Sequence, residues 1–99
     1  MDYTLTHNAK CDIEQVRDFV FEDSVANALM LMERLENEFN QITNNPGIGF
    51  KCDDLLPGIR CKKMFLFLIY YRFENDRVEI LRVMHGAQNR TPRSFDTIL

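Results

Sequence analysis

The chain has 99 residues, of which 45% are hydrophobic, and a formal net charge of −3. This length is typical of one domain, so we expect residues 1–99 to form a single folded unit. The charge is unevenly distributed, because residues 1–49 carry nine acids and three bases while residues 50–99 carry six acids and nine bases. Although the net charge is negative, the second half of the chain has a basic excess that can form a local cationic surface.

Several functional classes are disfavoured by the composition. The three cysteines, Cys11, Cys52 and Cys61, form an odd set without a CxxC pair, whereas a structural zinc site uses four closely placed Cys or His ligands. We therefore expect no metal and no cofactor. The longest apolar run, residues 64–71, is far too short to cross a bilayer core of about 30 Å. No secretory signal pattern is visible, so we expect a cytoplasmic protein without membrane contact.

The beginning of the chain predicts a short strand and an amphipathic helix. Residues 3–6 alternate apolar and β-branched polar side chains, which is a strand pattern. Thr6 or Asn8 can then cap a helix, because both side chains can accept a backbone N–H of the first turn. From Ala9 to Val20, apolar residues recur at helical spacing and define one buried face.

A second amphipathic helix follows, capped by Asp23 or Ser24. Its apolar residues recur every three or four positions up to Ile42, and the segment 44–47 ends it because Pro46 constrains the residue before it. The apolar face is broader than a simple stripe, because it also includes Met30 and Leu31. This breadth predicts either a wide core contact or an exposed groove for a partner.

The second half changes from helical to strand-like periodicity. Residues 59–63 predict a short basic strand, and residues 65–73 are dense in aromatic and branched side chains, as in a central strand. A polar turn at 74–76 joins this strand to another at 78–85, so the two form a hairpin. The predicted fold class is α+β with the order β-α-α-β-β-β, in which two N-terminal helices pack on one face of a mainly antiparallel sheet.

Short motifs in the same order resemble the RelE/ParE superfamily of toxins. They are Tyr-Thr-Leu-Thr at 3–6, Asn-Pro-Gly-Ile-Gly at 45–49, Leu-Pro-Gly-Ile-Arg at 56–60, Ile-Tyr-Tyr-Arg at 69–72 and Arg-Val-Met-His-Gly at 82–86. The middle and final motifs are more similar to ParE than to RelE. The resemblance implies the toxin of a type II toxin–antitoxin system, encoded beside an antitoxin that neutralises it by binding its surface. RelE-like members cut mRNA on the ribosome, whereas ParE-like members poison DNA gyrase.

A metal-free ribonuclease needs a general base, a general acid and cations for the phosphate. The candidates are Arg60 and Arg82 as phosphate ligands and His85 as acid or base. In a regular strand, however, Arg82 shares a face with Val78 and Ile80, and His85 lies on the opposite face. A protein that engages ribosomal RNA also usually carries a basic excess, which the net charge of −3 does not provide.

The gyrase-directed alternative requires protein docking, for which arginine and aromatic side chains are common anchors. We expect gyrase contacts from Arg72, Arg77, Arg90, Arg93 and Phe95. We expect antitoxin contacts from Met30, Leu31, Phe67 and Ile69. The predicted partners are thus the cognate antitoxin and gyrase, or the ribosome and mRNA in the alternative, with operator DNA reached only through the antitoxin. A third possibility is an inactive relative that only binds antitoxin and tunes operon repression.

Overall fold

The computed structural model describes residues 2–86. In chain order the elements are β1 (Tyr3–Leu5), α1 (His7–Asp23), α2 (Val25–Asn44), a 3-10 turn (Pro46–Ile48), β2 (Phe50–Lys51), β3 (Ile59–Met64), β4 (Phe67–Glu74) and β5 (Arg77–His85). The described strands form one sheet in the order β1-β5-β4-β3-β2. β1 runs parallel to β5, and the other neighbours are antiparallel. The predicted α+β class is confirmed, and so is the β4–β5 hairpin.

Both helices begin at a polar cap that the sequence offers. The Thr6 hydroxyl accepts the N–H of Ala9 at 3.1 Å, and the Ser24 hydroxyl accepts the N–H of Asn27 at 3.2 Å. Each bond satisfies a backbone donor of the first helical turn. Ser24 also closes α1, because its backbone N–H donates to the carbonyl of Val20. One residue therefore ends the first helix and starts the second, which makes the connection of the helical hairpin very short.

One strand and one strand boundary differ from the expectation. β2 was not predicted, because two residues carry no periodic signal and its pairing with β3 is a tertiary contact. β4 begins at Phe67 instead of Phe65, because Phe65 has a φ of 60° and occupies a turn with Leu66. Aromatic density at this place suggested a continuous strand. The left-handed backbone of Phe65 ends β3 there instead.

The sheet separates two apolar clusters. The cluster beneath the helices includes Leu35, Phe39 and Ile42 from α2 together with inward-facing side chains of the sheet. The other face of the sheet carries a second cluster that includes Ile59 and Cys61, against which the segment after β2 packs. The helices therefore cover one face only, as the amphipathic patterns predicted.

A β-bulge interrupts β5. Tyr70 on β4 pairs with Arg82, but the next residue, Tyr71, pairs with Ile80, so Leu81 has no Cα partner on β4. An extra residue of this kind shifts the alternation of side chains between the two faces.

The shift changes the facing that a regular β5 would have. Val78 and Ile80 belong to the helix-side cluster, and so does Val83, although an odd number of positions separates it from them. Leu81 belongs to the opposite cluster. Arg82 therefore does not follow the simple alternation that was expected to place it with Val78 and Ile80.

Neither described helix contains an apolar stretch of the length and hydropathy needed to cross a membrane.

Candidate protein-docking site

An apolar groove opens between the end of α1, the beginning of α2 and the β3–β4 turn. Its volume is about 610 Å³. The apolar side chains that line it come from all three elements; they are Val16, Phe19, Val20, Met30, Leu31, Phe65, Leu66 and Phe67. We call this cavity the α1–α2 groove.

The rim of the α1–α2 groove exposes large apolar side chains. Phe19 is 78% exposed, Phe65 65%, Met30 60% and Leu66 59%. Single exposed apolar residues are normal on a protein surface, but a contiguous set of this size usually marks an interaction site. The groove therefore has the character of a docking surface for another molecule.

The β3–β4 turn holds an aromatic side chain where turn geometry normally selects glycine or asparagine. Phe65 has a φ of 60°, a region that costs a bulky side chain roughly 1–2 kcal/mol. The guanidinium of Arg34 lies 5.1 Å from the centroid of its ring, within range of a cation–π contact. The Leu66 carbonyl accepts the N–H of Gly86 at 2.9 Å, which ties the turn to the end of β5.

The predicted antitoxin-binding residues do not all lie on this surface. Met30, Leu31 and Phe67 line the groove. Ile69 lies outside the groove and is fully buried in the cluster beneath the helices. It shares a face with Phe67 two residues earlier, but Phe67 is only partly buried and lines the groove.

The two arginines of the ribonuclease hypothesis lie on strands that β4 separates. Neighbouring strands are about 4.8 Å apart, so the backbones of Arg60 on β3 and Arg82 on β5 are about 10 Å apart. Arg60 donates to the carbonyl of Gly49 at 2.9 Å. Arg82 donates to both carboxylate oxygens of Asp12 at 2.7 and 2.8 Å. Each guanidinium therefore has a structural partner.

The third member of that hypothesis, His85, lies at the wall of the α1–α2 groove. Its ring contacts the Phe67 ring edge-to-face, with centroids 5.8 Å apart. The side-chain hydrogen bonds from Arg82 to Asp12 raise the pKa of Arg82. Arg82 therefore keeps its positive charge and does not act as a general acid. His85 thus contacts an aromatic ring at the wall of a groove that also contains the cation Arg34.

The predicted gyrase-binding arginines lie at the other end of the β4–β5 hairpin. Arg72 donates to Glu79 at 2.6 Å, and its Nε lies 3.7 Å from Glu74. Arg77 is exposed at the start of β5, and among the described residues no carboxylate lies within ion-pair distance of it. The remaining predicted contacts lie outside the described residues; they are Arg90, Arg93 and Phe95.

Residues 2–86 contain no group of three or more His, Cys, Asp or Glu side chains arranged to hold a metal ion. The α1–α2 groove offers an apolar docking surface with Arg34 at its rim. Arg34, Phe65 and Leu66 were missed from the sequence. The sequence does contain a signal that could have identified this site: Phe65 and Leu66 are large apolar residues at a position where a hairpin needs a turn.

Comparisons with known proteins agree with this architecture. Residues 3–90 match the family described as the ParE toxin of the type II toxin–antitoxin system parDE. Toxin ParE3 of Caulobacter vibrioides is 30% identical over 79 residues, which cover 79% of each chain. Toxin ParE1 of Mycobacterium tuberculosis is 26% identical over 85 residues, which cover 84% of this chain and 87% of that relative.

A solved structure described as the chromosomal ParDE TA system from P. aeruginosa superposes with a TM-score of 0.70 at 19% identity. The match covers 86% of this chain and 95% of that one, and it supports the fold. The family match extends over most of the chain. This chain therefore belongs to the ParE toxin family of type II toxin–antitoxin systems.

Proposed function

We propose that this toxin arrests growth by binding DNA gyrase in the cytoplasm, and that a cognate antitoxin neutralises it. Membership of the ParE family carries this proposal, because the ParE-like branch of the superfamily acts on gyrase. The apolar groove supports a docking role, since specific protein interfaces place apolar anchors at the centre of a polar rim. Any contact with operator DNA is made through the antitoxin.

The α1–α2 groove is the proposed antitoxin site. Met30, Leu31 and Phe67 line it, and covering this surface would remove the exposed side chains of Phe19, Met30, Phe65 and Leu66 from water. Burial of apolar area contributes about 25 cal/mol per Å², so covering these side chains favours binding. Ile69 is not part of this proposal, because it is already buried.

The proposed gyrase contacts include Arg72 and Arg77, far from the groove. β4 runs from Phe67 at the groove to Glu74 near these arginines, which at about 3.3 Å per residue is roughly 23 Å. Arg77 is the better anchor of the two, because Arg72 already has carboxylate partners. Mutations at Arg77 and mutations in the groove should therefore affect gyrase binding and antitoxin binding separately.

The mRNA-cutting alternative is less well supported by the described residues. Arg60 and Arg82 are held by Gly49 and Asp12, and no observation places them with His85 around one phosphate. Catalytic stabilisation of a developing charge requires donors already aimed at one point. Protein docking, in contrast, requires only the exposed surface that the chain presents.

Purified toxin, gyrase and supercoiled plasmid test the proposal directly. We expect the toxin to trap gyrase on DNA, so that linear plasmid is released on denaturation, while translation in a purified ribosome system continues. Arg77→Glu should weaken the trapping by about tenfold, the size of one lost interfacial charge contact. Arg17→Glu is the matched control, because Arg17 is an exposed arginine on α1 whose ion-pair partner is its neighbour Asp18.

Induced expression in cells separates the remaining alternatives. Gyrase poisoning predicts filamentous cells and a DNA-damage response, whereas ribosomal cleavage predicts rapid loss of protein synthesis with defined mRNA breaks. No growth defect with a folded toxin would indicate the inactive relative. Full toxicity of a His85→Ala variant would exclude His85 as an essential acid or base.

A further inference from the structure

Among the described residues, the lining of the α1–α2 groove contains one cation, Arg34, and no carboxylate. Among the residues that line it, the polar ones are Gln15, Asn27, Arg34 and His85. In the described part of the chain, no Asp or Glu lies within ion-pair distance of Arg34. This differs from Arg72 and Arg82, whose guanidinium groups have carboxylate partners. Arg34 is thus a cation at the edge of an apolar surface whose charge no neighbouring acid balances.

The cation–π contact of Arg34 with Phe65 positions this cation at the edge of the groove. Its guanidinium carbon lies 5.1 Å from the ring centroid. A guanidinium carries its N–H donors in its own plane. The cation–π contact restricts the position of the guanidinium, and its N–H donors that do not point at the ring can bind a two-oxygen acceptor.

The groove favours a helical occupant over an extended one. Most of its lining residues lie on α1 and α2, and the others lie on the β3–β4 turn and at the paired ends of β4 and β5, whereas a peptide that binds as an added strand needs an open sheet edge. A helix in a groove is recognised through apolar residues at positions i, i+3, i+4 and i+7, and its opposite face remains polar. The helical hairpin supplies the two walls of such a groove, and the Phe65–Leu66 turn supplies its end.

We infer that Arg34 is the specificity-determining residue of this groove, which takes an amphipathic helix of the antitoxin with a carboxylate directed at Arg34. The inference rests on the proposed neutralisation by an antitoxin and adds the chemistry of the contact. The apolar side chains of that helix fill the groove beside Phe19 and Met30. Its Asp or Glu pairs with Arg34 at the rim, where partial exclusion of water by the bound helix strengthens the ion pair.

The test uses the full-length toxin and the protein encoded by the adjacent reading frame, with binding measured by calorimetry. Arg34→Glu should weaken binding at least about tenfold, and Arg34→Gln less. Arg17→Glu makes the same charge change on an exposed site outside the groove, and its affinity should remain within about twofold of the wild type. Circular dichroism and the unfolding midpoint of each variant show that it is folded.

A second measurement separates charge pairing from packing. Exposed and partly exposed ion pairs weaken with salt, so the affinity of the wild type should fall more steeply with NaCl than that of Arg34→Gln. Unchanged affinity in Arg34→Glu, or equal salt slopes for wild type and Arg34→Gln, would overturn the inference about Arg34. Absence of any binding by the wild-type toxin would instead contradict the proposed neutralisation.

Discussion

The carboxylate of Asp12 on α1 binds the guanidinium of Arg82 on β5 through both oxygens, at 2.7 and 2.8 Å. One of these oxygens also accepts the backbone N–H of Val83 at 3.0 Å. β1 has ended by this point, since its last pair is Leu5 with Ile80. Asp12 therefore provides the acceptor that a longer β1 would have provided, and it fastens α1 to the bulged strand.

Replacement of Asp12 by Ala should destabilise the fold by about 3 kcal/mol or more, because it leaves a largely buried arginine and a backbone donor without their acceptor. The side chains of Asp12 and Arg82 are only 9% and 18% exposed. The loss in unfolding free energy is measured by urea unfolding, monitored by circular dichroism. Asp18→Ala is the control, because its pair with Arg17 is on the surface and should contribute less than about 0.5 kcal/mol. Equal effects of the two changes would contradict this role of Asp12.

Gly49→Ala should also destabilise the protein, for a steric reason. A Cβ at Gly49 would lie 2.6 Å from the Tyr71 hydroxyl and 2.8 Å from the Cys61 carbonyl oxygen, so the backbone of β3 would have to move. We expect a cost of about 2 kcal/mol, measured as a shift in the urea midpoint. Gly47→Ala is the matched control, since the nearest atom to its Cβ, Asn45 Oδ1, is 3.9 Å away. A similar loss in both variants would show that crowding is not the cause.

Tyr71 joins β4 to the segment after α2 through its hydroxyl. The hydroxyl accepts the Gly49 N–H at 2.9 Å and donates to the Pro46 carbonyl at 2.6 Å. Tyr71→Phe should therefore cost about 1–3 kcal/mol at neutral pH, because two backbone groups lose their partner. Burial raises the pKa of Tyr71 above its ordinary value of 10.0.

The same variant makes a prediction about pH. The unfolded state loses the tyrosine proton near pH 10.0 while the folded state keeps it, so the stability contributed by Tyr71 is present below that pH and falls as the pH rises through the raised pKa. The difference in unfolding free energy between wild type and Tyr71→Phe should thus shrink between about pH 9 and about pH 11. A difference that stays constant over this range would show that Tyr71 ionises alike in both states.

The sequence predicted features that depend on local chemistry. The caps Thr6 and Ser24 were among the candidates because their hydroxyls can accept free helical N–H groups, and the two helices followed from apolar spacing. The bulge at Leu81 could not be predicted, because every residue around it suits a strand and the extra residue is defined only against β4. β2 was missed for a related reason, since two residues acquire strand geometry only by pairing with β3.

The groove was predicted only in part. Met30 and Leu31 stood out because they broadened an apolar helix face, and the structure places both at the groove. Ile69 has the same strand pattern as Phe67, and periodicity cannot tell which of the two the helices cover. Phe65 was assigned to a strand because residues 65–73 are dense in aromatic and branched side chains, whereas such side chains are rare in left-handed turns. Phe65 departs from the usual residue preference of a left-handed turn, and it does so at the rim of the groove.

Phe65→Asn should separate stability from binding. Asparagine adopts a φ near 60° more easily than phenylalanine, which offsets the loss of an exposed cation–π contact of about 0.5–1 kcal/mol with Arg34. The unfolding midpoint should therefore stay the same or rise. Binding of the adjacent-gene antitoxin should weaken about tenfold or more, since exposed aromatic anchors dominate interface energies. Phe50→Asn is the control, because Phe50 is also largely exposed (76%, against 65% for Phe65) but lies on β2, outside the groove, and it should leave the affinity unchanged. If Phe65→Asn instead lowers the midpoint and keeps the affinity, the ring stabilises the fold and its strained turn is not a feature of the interface.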